Sequence, residues 1–207
     1  MKKIYTLENV SYNCNNKLII KNFNHIIEEG ITVIKGPNGA GKTTILKLLY
    51  GLISPTIGSI ERHFSMHDNE ASYIFQNPVF LQRTVEENLR HVLLCKNIEK
   101  SKWSQLINKL VNNYSLNSIL ASHVNILSGG ELQLLSLLRS IIIKPKILFY
   151  DEPTNNLDQI NIKLVKKIIS NLHSNGTSII MVSHNYDLYE NIEHKEILID
   201  DGQKKYA

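Results

Sequence analysis

At 207 residues, with 43% hydrophobic and 20% charged side chains, the chain has the composition of an ordinary globular domain and enough length for a sizeable core. Its net charge of +4 comes from lysines scattered along the chain rather than gathered into a stripe, so charge gives no sign of a nucleic-acid partner. Cys14 and Cys95 lie far apart with no C-x-x-C, and no run approaches eighteen apolar residues, which argues against a disulfide framework, a cysteine-bound zinc and a membrane span.

The opening MKKIYTLENV lacks the apolar run of a signal peptide, so a cytoplasmic location is expected. Any role at a membrane must then run through docking onto another polypeptide. Residues 4–10 and 18–27 read as strands around the turn-forming Asn13–Asn16 stretch NCNN, and 31–34 as a buried strand. A helix is predicted over 44–49, stopped at Gly51. Pro55 and Gly58 punctuate a loop, a hairpin is expected near 57–64, and 72–75 reads as a short strand.

From residue 77 to about 125 the spacing turns helical. Segments 85–95 and 103–114 are predicted helices, with Leu106, Ile107, Leu110 and Val111 on one face. Then come a helix over 131–143, a strand over 147–150, and an amphipathic helix over 160–172 with Ile160, Leu164, Ile168 and Leu172 at steps of four. Strands over 177–182 and 197–199 complete the pattern. Alternating strands and helices predict a single α/β domain over 1–207 with a parallel-sheet core and an N-terminal antiparallel β subdomain. The helical block 77–126 reads as an α-helical subdomain inserted between 1–76 and 127–207.

Gly36-Pro37-Asn38-Gly39-Ala40-Gly41-Lys42-Thr43-Thr44 fits G-x-x-x-x-G-K-[ST] between a strand and a helix, the context that motif requires. Its glycines let successive N–H groups face an anion, and the helix N-terminus adds partial positive charge. Lys42 is the candidate for the β- and γ-phosphates of a nucleoside triphosphate, and the Thr43 hydroxyl for Mg²⁺. The strand over 147–150 ends in Asp151 and Glu152, at the sheet edge where ligands of α/β proteins bind. Asp151 is the candidate Mg²⁺ ligand and Glu152 the candidate general base. A phosphate loop alone does not separate kinases, GTPases and motor ATPases. The N-K-x-D motif of GTPases is missing, because Asn16-Lys17 and Asn108-Lys109 both lack the aspartate.

Leu127-Ser128-Gly129-Gly130-Glu131 opens the helix before the acidic strand, with Ser128 placed as its N-cap. This pentapeptide resembles the LSGGQ signature of the ATP-binding cassette (ABC) family, and the other landmarks of that family follow in order. Gln76 resembles the Q-loop glutamine, also a candidate metal ligand. Asn156-Leu157-Asp158 resembles the D-loop, and His184 the switch histidine. Tyr12 is the candidate for stacking on adenine. The resemblance covers nearly the whole chain, but the signature ends in Glu131 rather than glutamine, and Leu134 stands where the family carries arginine.

The resemblance implies a P-loop ATPase that binds ATP with Mg²⁺, working as a homodimer of cassettes in which residues 127–131 of one copy face the phosphate loop of the other. It implies a membrane permease subunit as partner, docked beside Gln76, where Phe80 and Leu81 follow Pro78 and are expected to face outward. The location implied is peripheral, on the inner face of the cell membrane. Intact Lys42, Asp151, Glu152 and His184 favour hydrolysis over mere binding. Import is favoured over export, with a separate solute-binding protein as a further partner. The stretch from Phe75 to Leu89 also resembles cassettes of oxyanion importers for tungstate or phosphate, and no regulatory domain is expected after the last strand. The alternative is a non-transport ABC ATPase of DNA repair or translation, a class marked by a coiled-coil insertion, zinc-binding cysteines or paired cassettes, none of which is seen in this sequence.

Overall fold

The computed structural model describes residues 2–64, 70–152 and 157–205. Among them nine strands form two sheets. A long hairpin, β1 (Lys3–Cys14) and β2 (Lys17–Glu28), opens the chain, and Asn15 and Asn16 both take positive φ in its two-residue turn. Asparagine tolerates that conformation, so the NCNN stretch sets the hairpin. A third strand, β4 (Ile57–Arg62), pairs with the other edge of β1, giving an antiparallel sheet of order β2-β1-β4.

The larger sheet has the order β5-β6-β7-β3-β8-β9, built from β3 (Ile31–Lys35), β5 (Ala71–Ile74), β6 (Ile147–Asp151), β7 (Ser178–Val182), β8 (Lys195–Asp200) and β9 (Gln203–Lys205). Its first five strands run parallel, and β9 returns antiparallel to β8. Every residue of β6 and β7 is buried, which explains their uninterrupted apolar sequence. Alternate side chains serve opposite faces. Leu148 and Tyr150 join a core shared with α2 (Val85–Cys95), α3 (Trp103–Asn113), α4 (Gly129–Ile141) and α5 (Gln159–Ser174). Phe149 points the other way, into a core formed with α1 (Lys42–Tyr50) and the antiparallel sheet.

The parallel registers bring the strand ends level. Ile34 and Asp151 both pair with Val182, and Ile74 pairs with Tyr150. The segments that leave β3, β5, β6 and β7 therefore emerge side by side: Gly36, Gln76, Glu152 and His184.

Three expectations are corrected. No hairpin forms near 57–64: β4 spends its pairing on β1 (Leu7 opposite Ile60, Tyr5 opposite Arg62), the next strand joins the other sheet, and residues 65–69 lie outside the described part. Ile160 is 78% exposed; of the expected stripe Ile168 is buried and Leu164 and Leu172 pack partly buried on the core, while Ile162, Val165 and Ile169 complete the buried face of α5. Repeated steps of four drift about 40° per step around a helix of 3.6 residues per turn, which carries the first of the four, Ile160, off the buried face. β9 had no sequence signal, since its three polar residues are held by backbone pairing with β8.

Candidate active site

The glycine loop is built by close packing. Gly36 has φ 149°, and a Cβ there would lie 1.9 Å from the carbonyl oxygen of Ile199. Gly41 (φ 98°) sits before α1, where a Cβ would lie 2.6 Å from Ile20 Cδ1. Only glycine fits either place. Lys42 follows, nearly buried, with Nζ donating to the carbonyls of Gly36 and Pro37 at 2.9 Å each. Burial holds the pKa of this ammonium below its ordinary value, while Glu152 and Asp151 pull it back up. The loop is thus folded around its own cation. Asn38, Gly39 and Ala40 close it, with the Ala40 N–H donating to Pro37 O at 3.2 Å, and Thr44 continues α1.

Thr43 Oγ1 donates to Asp151 Oδ1 at 2.9 Å, tying the first turn of α1 to the end of β6. Asp151 is 3% exposed, and burial raises its pKa while the hydroxyls of Thr43 and Tyr73 lower it. Tyr73 donates to Oδ2 at 3.3 Å.

Glu152 lies one residue further, at φ 49°, with its N–H still bonded to Val182 O at 2.9 Å. A positive φ is costly for a glutamate, and here the backbone bond to β7 holds it. The turn swings the carboxylate out of the sheet to meet two side chains from neighbouring strand ends. Gln76 Nε2 donates to Oε2 at 3.4 Å, and His184 Nε2 lies 3.5 Å from Oε1. His184 is carried on a fixed turn, since Ser183 Oγ accepts from the N–H of Asn185 and donates to its carbonyl.

Residues 127–131 stand apart from this group. Ser128 Oγ accepts from the Glu131 N–H, and Glu131 Oε2 accepts from both the N–H and the hydroxyl of Ser128 at 2.8 Å, a reciprocal cap on α4. Gly130 packs closely on α5: a Cβ would lie 2.8 Å from Asn161 Nδ2. Among the described residues no hydrogen bond joins Leu127, Ser128, Gly129, Gly130 or Glu131 to the glycine loop of the same chain. Asp158 caps α5, accepting from the Asn161 N–H at 2.8 Å, whereas Asn156 lies outside the described residues. Tyr12 is half-buried on β1 opposite Ile20, the residue that touches Gly41.

Sequence reasoning missed several links. Tyr73 is one. Gln133 of α4 is another, donating to Gln76 O at 3.4 Å, and Arg139 donates to Val79 O at 2.7 Å. Leu134, the departure from arginine, is a 1%-exposed core side chain, a position where a cation would have to be buried. Phe80 does not face outward, whereas Leu81 is partly exposed. Phe80 packs against the helical core under the Arg139 guanidinium, and fully buried Asn88 clamps both the N–H and the carbonyl of Leu81. In the stretch 75–81 the exposed large apolar side chains are Val79 (84%) and Phe75 (46%).

With this geometry in place, the ABC transporter family model matches residues 20–155. The chain belongs to the ABC transporter family. It is similar to an ergothioneine transport ATP-binding protein of Helicobacter pylori (strain G27), 33% identical over 209 residues that cover 96% of this chain and 98% of that one. It is also similar to a tungstate uptake system ATP-binding protein of Peptoclostridium acidaminophilum, 29% identical over 177 residues, 84% of this chain and 83% of that one. Among solved structures, the dimeric post-hydrolysis ATP-binding cassette MJ0796 with ADP and phosphate superimposes with a TM-score of 0.81 at 23% identity, covering 98% of this chain and 97% of that one. This ABC chain is therefore an α/β P-loop ATPase, the ATP-binding subunit of an ABC transporter. None of its described helices is long and apolar enough to cross a membrane.

Proposed function

We propose that this chain is the ATP-hydrolysing subunit of an ABC importer, with Glu152 as the base of the reaction. The observation that carries the reading is the meeting of Gln76 and His184 on the Glu152 carboxylate, one residue from the Asp151–Thr43 pair. Lys42 and the N–H groups from Asn38 to Thr44 would hold the β- and γ-phosphates, and Tyr12 the adenine. The Thr43 hydroxyl and the Asp151 carboxylate, with Gln76 nearby, are hard oxygen donors that fit Mg²⁺, which takes few protein ligands beside a nucleotide. When bound, the ion supplies charge neutralisation of the phosphates.

In hydrolysis, water oxygen bonds to the γ-phosphorus, the bond to the β,γ-bridging oxygen breaks, and Glu152 accepts a proton from that water. Gln76 orients the water and Glu152, and His184 steadies the γ-phosphate side. Leu127 to Glu131 of a second copy would complete the nucleotide site, and Asp158 would lie near that junction. ATP then joins two copies and hydrolysis releases them.

A groove of ≈ 460 Å³ beside Gln76, lined by Phe75, Pro78, Val79, Val92, Arg139 and Ile143, is the docking place we assign to a permease subunit. The segment 77–126, between 1–76 and 127–207, would move as the unit that carries this contact. The chain would sit peripherally on the inner face of the membrane. Import, aided by a separate solute-binding protein, is supported by the resemblance of the Phe75–Leu89 stretch to oxyanion importers and by the uptake role in the name of the tungstate relative. Reconstitution with the permease in vesicles tests it: ATP supplied on the cassette side should drive solute away from the binding-protein side, and the opposite direction or no transport would contradict it.

A further inference from the structure

We propose that Tyr73 is a positioning residue for the metal-binding carboxylate, holding one oxygen of Asp151 so that the other stays aimed at Thr43. The proposal rests on the reading of Asp151 as a Mg²⁺ ligand. Tyr73 pairs with Phe149 across the β5–β6 register, and residues 149 and 151 share one face of the sheet. Two residues along a strand span about 6.6 Å, close to the reach of a phenol from its Cα. A tyrosine opposite Phe149 therefore lays its ring along that side chain and sets its hydroxyl at Asp151.

The structure has this arrangement. The Tyr73 and Phe149 rings stack at 6.3 Å with 14° between planes, and the hydroxyl lies 3.3 Å from Asp151 Oδ2. Tyr50 closes the ring edge-on at 5.3 Å and Phe75 sits at 4.6 Å. The phenol is thus held from three sides, and Tyr73 is 9% exposed.

The carboxylate needs such a clamp because its terminal torsion is broad and two-fold. Thr43 alone fixes only one oxygen, and a metal ion held by Thr43 and Asp151 would compete with that bond. Tyr73 anchors the other oxygen from the neighbouring strand β5. It is a neutral donor, so it orients the carboxylate without cancelling the charge that a cation needs. The lysines that act on this carboxylate electrostatically, Lys42 and Lys47, both belong to α1.

The test is Tyr73→Phe in the full chain, which keeps the ring contacts and removes only the hydroxyl. Mn²⁺ binding is followed by electron paramagnetic resonance with a non-hydrolysable ATP analogue, beside analogue binding in EDTA. We expect Mn²⁺ affinity on the order of tenfold weaker, the scale of a lost hydrogen bond to a charged group, with an altered linewidth and unchanged metal-free nucleotide affinity. The Mg²⁺ concentration for half-maximal ATPase should rise in parallel. Asp151→Asn serves as the reference. Weakening in Asp151→Asn but not in Tyr73→Phe would overturn the role of Tyr73 alone; weakening in neither would overturn the metal assignment of Asp151 as well.

Discussion

His184 Nε2 lies 3.5 Å from Oε1 of Glu152, across the gap between the ends of β7 and β6. The two side chains follow strands paired to their last residues, Asp151 opposite Val182, so their separation is set by the sheet and by the short turns that leave it. Replacing His184 with Ala should slow ATP hydrolysis roughly ten- to hundredfold, the worth of one hydrogen bond to a charged group. Nucleotide binding should persist, because among the described residues no hydrogen bond or ion pair joins His184 to the glycine loop. Steady-state ATPase and fluorescent-nucleotide titration separate the two effects.

Lys42→Met should collapse ATP affinity and turnover, since it removes the cation aimed at the phosphates. Without nucleotide the melting temperature should change little. Burial lowers the Lys42 pKa from its ordinary value, so the folded chain carries a desolvation cost for this ammonium, and its removal relieves that cost. What is lost in exchange is the pair of bonds to Gly36 and Pro37. Near-normal turnover would contradict the phosphate-loop reading.

His25 gives the fold a pH dependence away from the site. Burial, then the Lys204 ammonium 3.0 Å away, pushes its pKa down to about 4, with Glu28 opposing and Lys195 adding to the fall. The unfolded chain binds this proton near pH 6.5 and the folded chain does not, so the stability from neutral His25 is complete above 6.5 and declines as pH falls towards about 4. After allowing for solvent exposure, the loss is about 1–2 kcal/mol. His25→Asn should flatten that part of a melting-temperature profile between pH 7 and 4.5.

Val79 and Phe80 separate docking from folding. Val79→Asp should leave the ATPase of the isolated chain and its melting temperature unchanged, because the side chain is 84% exposed. It should weaken assembly with a permease, measured by co-purification. Phe80→Ala should instead lower the melting temperature, since the ring packs under Arg139 against the helical core. The reverse pattern would move the docking surface elsewhere.

Much of this was legible in the sequence, for physical reasons that differ by residue. The run from Gly36 to Thr43 could be read because a loop that wraps an anion needs glycine at fixed places. Asp151 and Glu152 could be read because an apolar strand runs into them, and Gln76 and His184 because each follows such a strand at the place where the family resemblance expects it. Tyr73 could not, since its meeting with Asp151 depends on which strands are neighbours and in what register. Nor could the inward set of Phe80, which depends on Arg139 from another element, or the hold of Asn88 on the Leu81 backbone. Ile160 misled because an apolar residue at a step of four looks like part of a stripe, and β9 gave no signal because the backbone alone pairs it.

The most direct test of the account is the Glu152→Gln chain incubated with Mg²⁺ and ATP, followed by size exclusion with light scattering. The amide keeps the shape beside Gln76 and His184 but cannot take the proton, so hydrolysis should fall about 10²–10⁴-fold. ATP should remain bound and two copies should elute together, while the same chain without nucleotide elutes as a monomer. A monomer in both conditions, or a rate equal to that of the unmodified chain, would contradict it.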